Sequence, residues 1–200
     1  FNGGNLRNAI AREAYAEVVV TEQEAEDLRR LVEKFSGDLK YEFRSTEPNM
    51  QITMESIAKP AFVVDMLSQD NLLNVLYACP HGVLAMSREI PNFVETSTNL
   101  ASVKTEENHF FITTSQRSSV ESAKEAAASR VESCFMLAGA DVEHTDGYPG
   151  WAPNTDSHVL KVAVEAYKKL FGKEPVVRAI HAGLECGLIG EKYENMDMIS

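Results

Sequence analysis

Cysteine is scarce in this chain, and the little there is has no pattern. Cys79, Cys134 and Cys186 are an odd number with no C-x-x-C spacing. That argues against a disulfide framework or a structural zinc cluster and fits a reducing compartment, the cytoplasm. Basic charge is short too: 19 Lys and Arg stand against 30 Asp and Glu, a net charge of −11. Such a balance argues against nucleic acid and anionic membranes as partners, because their phosphates need a basic face. No apolar run approaches the roughly 20 residues that span a bilayer. The five histidines, His81, His109, His144, His158 and His181, show neither HxxxH nor HxH spacing, so no zinc motif is legible. The chain also lacks an initial Met and any signal-like opening. It opens on Phe1-Asn2-Gly3-Gly4 and closes on Met-Asp-Met-Ile-Ser, which reads as a piece of a longer protein.

What is present is enough for a core: 44% of the 200 residues are hydrophobic and 24% charged. Asn2-Gly3-Gly4 reads as a turn and Tyr15 to Val20 as a strand. Thr21 and Glu24 form a capping box before a helical stripe, Ala25, Leu28, Val32, Phe35 and Leu39, which Glu47-Pro48-Asn49 ends. Met50, Ile52 and Met54 alternate with polar residues as in a strand. Ser68 is placed to cap a short helix carrying Leu72, Leu73, Val75 and Leu76, which Pro80-His81-Gly82 ends. Val83 to Glu89 reads as a loop or short strand.

Two further strands, Phe93 to Val103 and His109 to Ser115, flank a tight turn at Thr105 to Asn108. Ser118 and Glu121 suggest a second capping box, ahead of the stripe Val120, Ala123, Ala127, Val131, Cys134 and Ala138, with Gly139 as C-terminal cap. A short strand is expected near Ala140 to His144. The composition then shifts to Gly and Pro over Asp146 to Asn154, the mark of a boundary. Beyond it the pattern gives a helix capped at Asn154 or Thr155, with Leu160, Val164, Tyr167 and Phe171 inward and Gly172 closing it. Pro175 to Ile180 reads as a buried strand, His181 to Gly190 as a Gly-rich turn, and Met196 to Ile199 as one more strand. The fold class expected is α+β: an antiparallel sheet with helices on one face over 1–147, in two halves of strand–helix–strand type, then an α/β piece over 148–200.

Pattern alone gives only weak chemical signals. Arg117 ends a strand just before a helix, where a guanidinium can fork onto a carboxylate beside helix N-terminal amides; a plain surface arginine is the competing reading. Asn8 offers an amide to a substrate or simply serves a turn. The glycines of His181 to Gly187 permit close backbone approach to a ligand at a strand end, or only a tight turn. Glu185 has no assigned role, and Cys186 has no paired base, so it reads as packing.

Four strings carry a resemblance. Asn2 to Ala14 (NGGNLRNAIAREA) is similar to the NGGTLRNAIPREA segment of bacterial aminoacyl-histidine dipeptidases, the Xaa-His dipeptidase group of metallopeptidases. Val94 to Leu100 resembles their VETSxNL, Tyr148 to Asn154 their YPGWxPN, and His181 to Gly187 their HAGLECG. Order and separations fit along the whole chain. Ala11 departs from the usual Pro, which touches backbone geometry and not chemistry.

The resemblance implies a two-domain peptidase. A catalytic α/β domain binds two zinc ions, with a zinc-bound water as nucleophile and a carboxylate as general base, and an inserted lid closes over the substrate. Residues 1–147 would be most of the lid and dimerisation domain, and 148–200 part of the catalytic domain. No catalytic residue and no metal ligand of the family falls in this chain. The family's substrate contacts map onto Asn8, onto Arg117 as the grip on the substrate carboxylate, and onto Gly183, whose backbone lines the pocket. The partners implied are a dipeptide, carnosine-like, and a second copy of the protein in a homodimer. Two rival readings are a dimerisation module with no catalytic role of its own and a free-standing ligand-binding α+β protein.

Overall fold

A computed structural model describes residues 1–145, 147–179 and 185–200. They form two compact units, one of Phe1–Tyr15 with Met66–Ser200, the other of Ala16–Asp65.

The smaller unit is built on α1 (Glu22–Glu42). The capping box forms as expected. The Thr21 hydroxyl accepts from the Glu24 amide at 3.3 Å, and the Thr21 amide donates to the Glu24 carboxylate at 2.9 Å. Ala25, Leu28, Val32 and Leu39 turn inward, but Phe35 stays 56% exposed and Ser36 takes the buried position. Residues 50–55 keep the expected alternation, with Met50, Ile52 and Met54 half-buried between exposed neighbours, yet form no strand. Residues 16–20 form none either. Neither segment has a ladder partner among the described residues, and without one an extended chain is not a strand.

The larger unit is organised around β4 (Val94–Thr105). On one edge β4 pairs along its length with β5 (Phe110–Ser118), through the expected turn closed by Glu106 N–H to His109 C=O at 2.9 Å. Its other edge is shared. β3 (Gly82–Met86) takes the first part, Gly82 opposite Thr98, and β1 (Asn2–Gly3) takes the last, Gly3 opposite Val103. β2 (Ala14–Tyr15) completes the sheet against β1, and all pairings are antiparallel. Asn2-Gly3 is thus a strand and not the expected turn; the chain reverses in the 4–13 loop instead.

The register of β4 shifts between Leu100 and Ser102. The extra residue at this bulge, Ala101, is fully buried, and the bulge reverses the alternation. Thr96 and Thr98 are buried before it and Val103 after it. Against the face carrying Leu100 and Ile112 pack α2 (Met66–Ala78) and α3 (Glu121–Leu137), with Val75, Cys79, Val131 and Phe135 at the centre of the core. Burial among these side chains pushes the Cys79 thiol up to about 11, so it is a packing group. The opposite face holds Ser97, Asn99, Ser115 and Arg117 and stays open to the 4–13 loop. Helices on one face of an antiparallel sheet is the arrangement the sequence pattern implied.

Several expectations fail on local competition. Ser68 lies inside α2, which begins two residues earlier. Ser118 does not cap α3: it is still in β5, buried opposite Thr96 with its hydroxyl 2.9 Å from the Thr96 hydroxyl, and Val120 precedes the helix with no side-chain cap. Glu121 turns to the Gly-Pro segment and accepts from the Gly150 amide at 2.6 Å. The Lys124 ammonium, then this amide, hold its carboxyl below the usual range. Gly139 does follow α3 at φ +75°, as a helix-ending glycine should.

α4 (His158–Phe171) is capped by Ser157, not Asn154 or Thr155, and closes on Gly172 at φ +66°. Leu160, Val164 and Tyr167 are half-buried, whereas Phe171 is exposed, its ring 4.6 Å from that of Tyr167. No strand forms over 140–145, 175–179 or 196–199. Val176 and Val177 are exposed. Asp197 instead serves the start of α4: the Ser157 hydroxyl, then the Val159 amide at 3.0 Å, hold its carboxyl low. Of the expected Gly-rich turn, 185–190 belong to α5 (Glu185–Lys192) and the rest lies outside the described residues. Gly187 is needed there, because a Cβ would come 2.8 Å from the Pro149 oxygen. Cys186 is buried, as a packing residue should be.

Candidate functional site

A cleft of about 310 Å³ is lined by residues of β3, β4 and β5 and of the 4–13 loop. The open face of the sheet supplies its floor through Ser97, Asn99, Ser115 and Arg117. The 4–13 loop contributes Arg7 and Asn8. His81 closes one end, from the turn between α2 and β3. Asn8 and Arg117, more than 100 positions apart in sequence, therefore line one cleft. Gly183 lies outside the described residues.

Two further residues hold the site together, and pattern reading did not single them out. Asn99 donates both amide hydrogens to the loop, to Arg7 C=O at 3.2 Å and Ala9 C=O at 2.8 Å. It straddles Asn8 and fixes the backbone that presents it. His81 Nδ1 accepts the Leu100 amide at 3.0 Å, the ladder donor exposed where β3 ends. Asn99 sits inside the VETSxNL likeness, so the sequence marked its position without its role. Nothing in the sequence around His81 marks it, because its partner is a backbone amide 19 residues away.

The electrostatics are one-sided. Arg7 and Arg117 line the cleft, and no carboxylate does among the described residues. Neither arginine has an ion-pair partner among the described residues. In a chain of net charge −11, a concave site with two arginines has the chemistry that suits a small anion. Among the described residues no three His, Cys, Asp or Glu side chains converge to hold a metal. The described residues of the cleft do not fit a two-zinc centre.

The Asn99 tie is directly testable. Asn99→Ala removes two hydrogen bonds and should cost about 1–3 kcal/mol of stability. Asn99→Asp turns a carboxylate oxygen toward two carbonyl oxygens and should cost more. Thermal unfolding of both variants measures this; wild-type melting in Asn99→Asp would show that the loop does not depend on this side chain.

Comparisons with known proteins find peptidases. No protein-family model matches the chain. Over all 200 residues it is 39% identical to the cytosol non-specific dipeptidase of Escherichia coli (strain K12), of which it covers 41%. The crystal structure of aminoacylhistidine dipeptidase from Vibrio alginolyticus superposes on 99% of the chain with a TM-score of 0.92 at 38% identity, using 40% of that protein. Along its whole length the chain is similar to these two peptidases. It spans about two-fifths of each. No helix among the described residues is long and apolar enough to cross a membrane.

Proposed function

We propose that the full-length protein is a cytoplasmic, zinc-dependent dipeptidase that hydrolyses Xaa-His dipeptides of the carnosine type, and that this chain supplies its substrate clamp. The observation that carries the reading is the cleft that Arg117 and Asn8 line together, with no carboxylate among its described lining residues. Arg117 grips the substrate's terminal carboxylate through two parallel hydrogen bonds. Asn8, held by Asn99, offers its amide to the peptide group, and the resemblance assigns a third substrate contact to Gly183. Residues 1–147 act as lid and homodimerisation domain and 148–200 as part of the catalytic domain. The metal ligands and the general base come from the remainder of the polypeptide. The similarity to dipeptidases and the two arginines without an ion-pair partner among the described residues support this reading.

The test is hydrolysis of Xaa-His dipeptides by the purified full-length protein, with and without a chelator. Turnover abolished by chelation and restored by zinc is expected. A well-folded, metal-loaded protein inert toward every dipeptide would overturn the reading and favour a purely structural module.

A further inference from the structure

We propose that His81 is a second substrate-binding residue, whose Nε2–H donates to the same terminal carboxylate that Arg117 holds. The inference rests on the function proposed above and adds a contact to it.

The tautomer follows from one hydrogen bond. His81 Nδ1 lies 3.0 Å from the Leu100 amide nitrogen, which can only donate. A ring nitrogen that accepts an amide hydrogen carries no proton, so the neutral ring holds its proton on Nε2. Protonating Nδ1 would set N–H against N–H and leave the Leu100 amide unpaired. Nε2–H has no acceptor among the described residues, and its ring borders the cleft.

The sheet register brings this donor to Arg117. Gly82, next to His81, pairs with Thr98 on one edge of β4, while Arg117 pairs with the adjacent Ser97 on the other. Two strand spacings, about 10 Å, separate the two backbones, a span that two side chains can close around a carboxylate. A carboxylate has about four acceptor sites and one guanidinium fork uses two. A neutral imidazole fills a third without adding charge.

The discriminating substitution is His81→Asn. An asparagine Oδ1 sits close to where Nδ1 was and can still accept the Leu100 amide, but nothing replaces Nε2–H. In the full-length protein His81→Asn should raise KM for a dipeptide, and Kd for a non-hydrolysable dipeptide analogue, about ten-fold. Its kcat should stay within about two-fold and its melting near wild type. The loss should shrink when the terminal carboxylate is amidated. His81→Ala should lose both affinity and melting temperature. If His81→Asn keeps wild-type KM and Kd while His81→Ala alone is impaired, His81 only ties Leu100 and the proposal is wrong. A wild-type protein that binds the analogue without turning dipeptides over, with His81→Asn weakening binding, would sink the dipeptidase reading and keep this one. Absence of both binding and turnover would sink both.

Discussion

Replacing Arg117 with alanine in the full-length protein is expected to lower kcat/KM on a dipeptide about 10- to 150-fold. The estimate takes a charge-assisted hydrogen bond as worth about 1.5–3 kcal/mol. It grows if the same grip positions the scissile bond. Arg117 is half-buried on the cleft floor with no ion-pair partner among the described residues, so no competing carboxylate has to be displaced before it binds one. Lysine should rescue only part of the loss, since it offers a point charge on a flexible stem where the guanidinium offers a planar fork. The effect should shrink on a substrate whose terminal carboxylate is amidated, because the arginine then has no anion to hold. Metal content should not change. Near-wild-type kcat/KM of Arg117→Ala on the acid substrate would reduce Arg117 to a surface arginine.

The second large effect concerns backbone. Gly4→Ala should destabilise the chain by about 2–4 kcal/mol, which for about 200 residues lowers the melting temperature by roughly 5–15 °C. Gly4 sits at φ +61°, and a Cβ there would lie 2.0 Å from the Ala101 carbonyl oxygen at the bulge of β4. The same residue anchors the loop that lines the cleft, donating to Glu13 C=O at 3.1 Å and accepting from Lys104 Nζ at 2.7 Å. Neither backbone can yield without releasing the loop or undoing the bulge. Gly139 is the control. Its φ is +75°, but no atom lies within 4 Å of an added Cβ, so Gly139→Ala should show only the left-handed cost of about 1–2 kcal/mol. Equal melting temperatures for the two variants would mean that the loop is not locked against the bulge.

The legible parts of the fold were those whose causes are local. The capping box at Thr21, the hairpin at residues 105–110 and the glycines closing α3 and α4 each depend on neighbours within a few positions, and each formed. What depended on a distant partner was lost. Met50, Ile52 and Met54 kept their in–out alternation without becoming a strand, because periodicity carries no information about which segment will pair. Ser118 satisfied a capping rule in sequence, but it stays in β5 opposite Thr96, and its hydroxyl accepts the Val120 amide at 3.0 Å without capping α3. Asn2-Gly3 has turn composition, yet β4 offered an edge and the pair became a strand.

The site divides along the same line. Asn8 and Arg117 were found through likeness to a family, and pattern alone left each beside an ordinary surface role. Their meeting in one cleft was not legible from spacing, since it is made by the sheet register. Asn99 and His81 were missed as working residues because their hydrogen-bond partners are backbone groups far along the chain.

The most direct measurement is a crystal structure of the full-length protein, metal-loaded, with a non-hydrolysable Xaa-His dipeptide analogue. The expected result places the ligand's terminal carboxylate within hydrogen-bond distance of the Arg117 guanidinium, in the cleft between Asn8 and His81. A carboxylate bound elsewhere, with the Arg117 cleft filled only by solvent, would contradict the account.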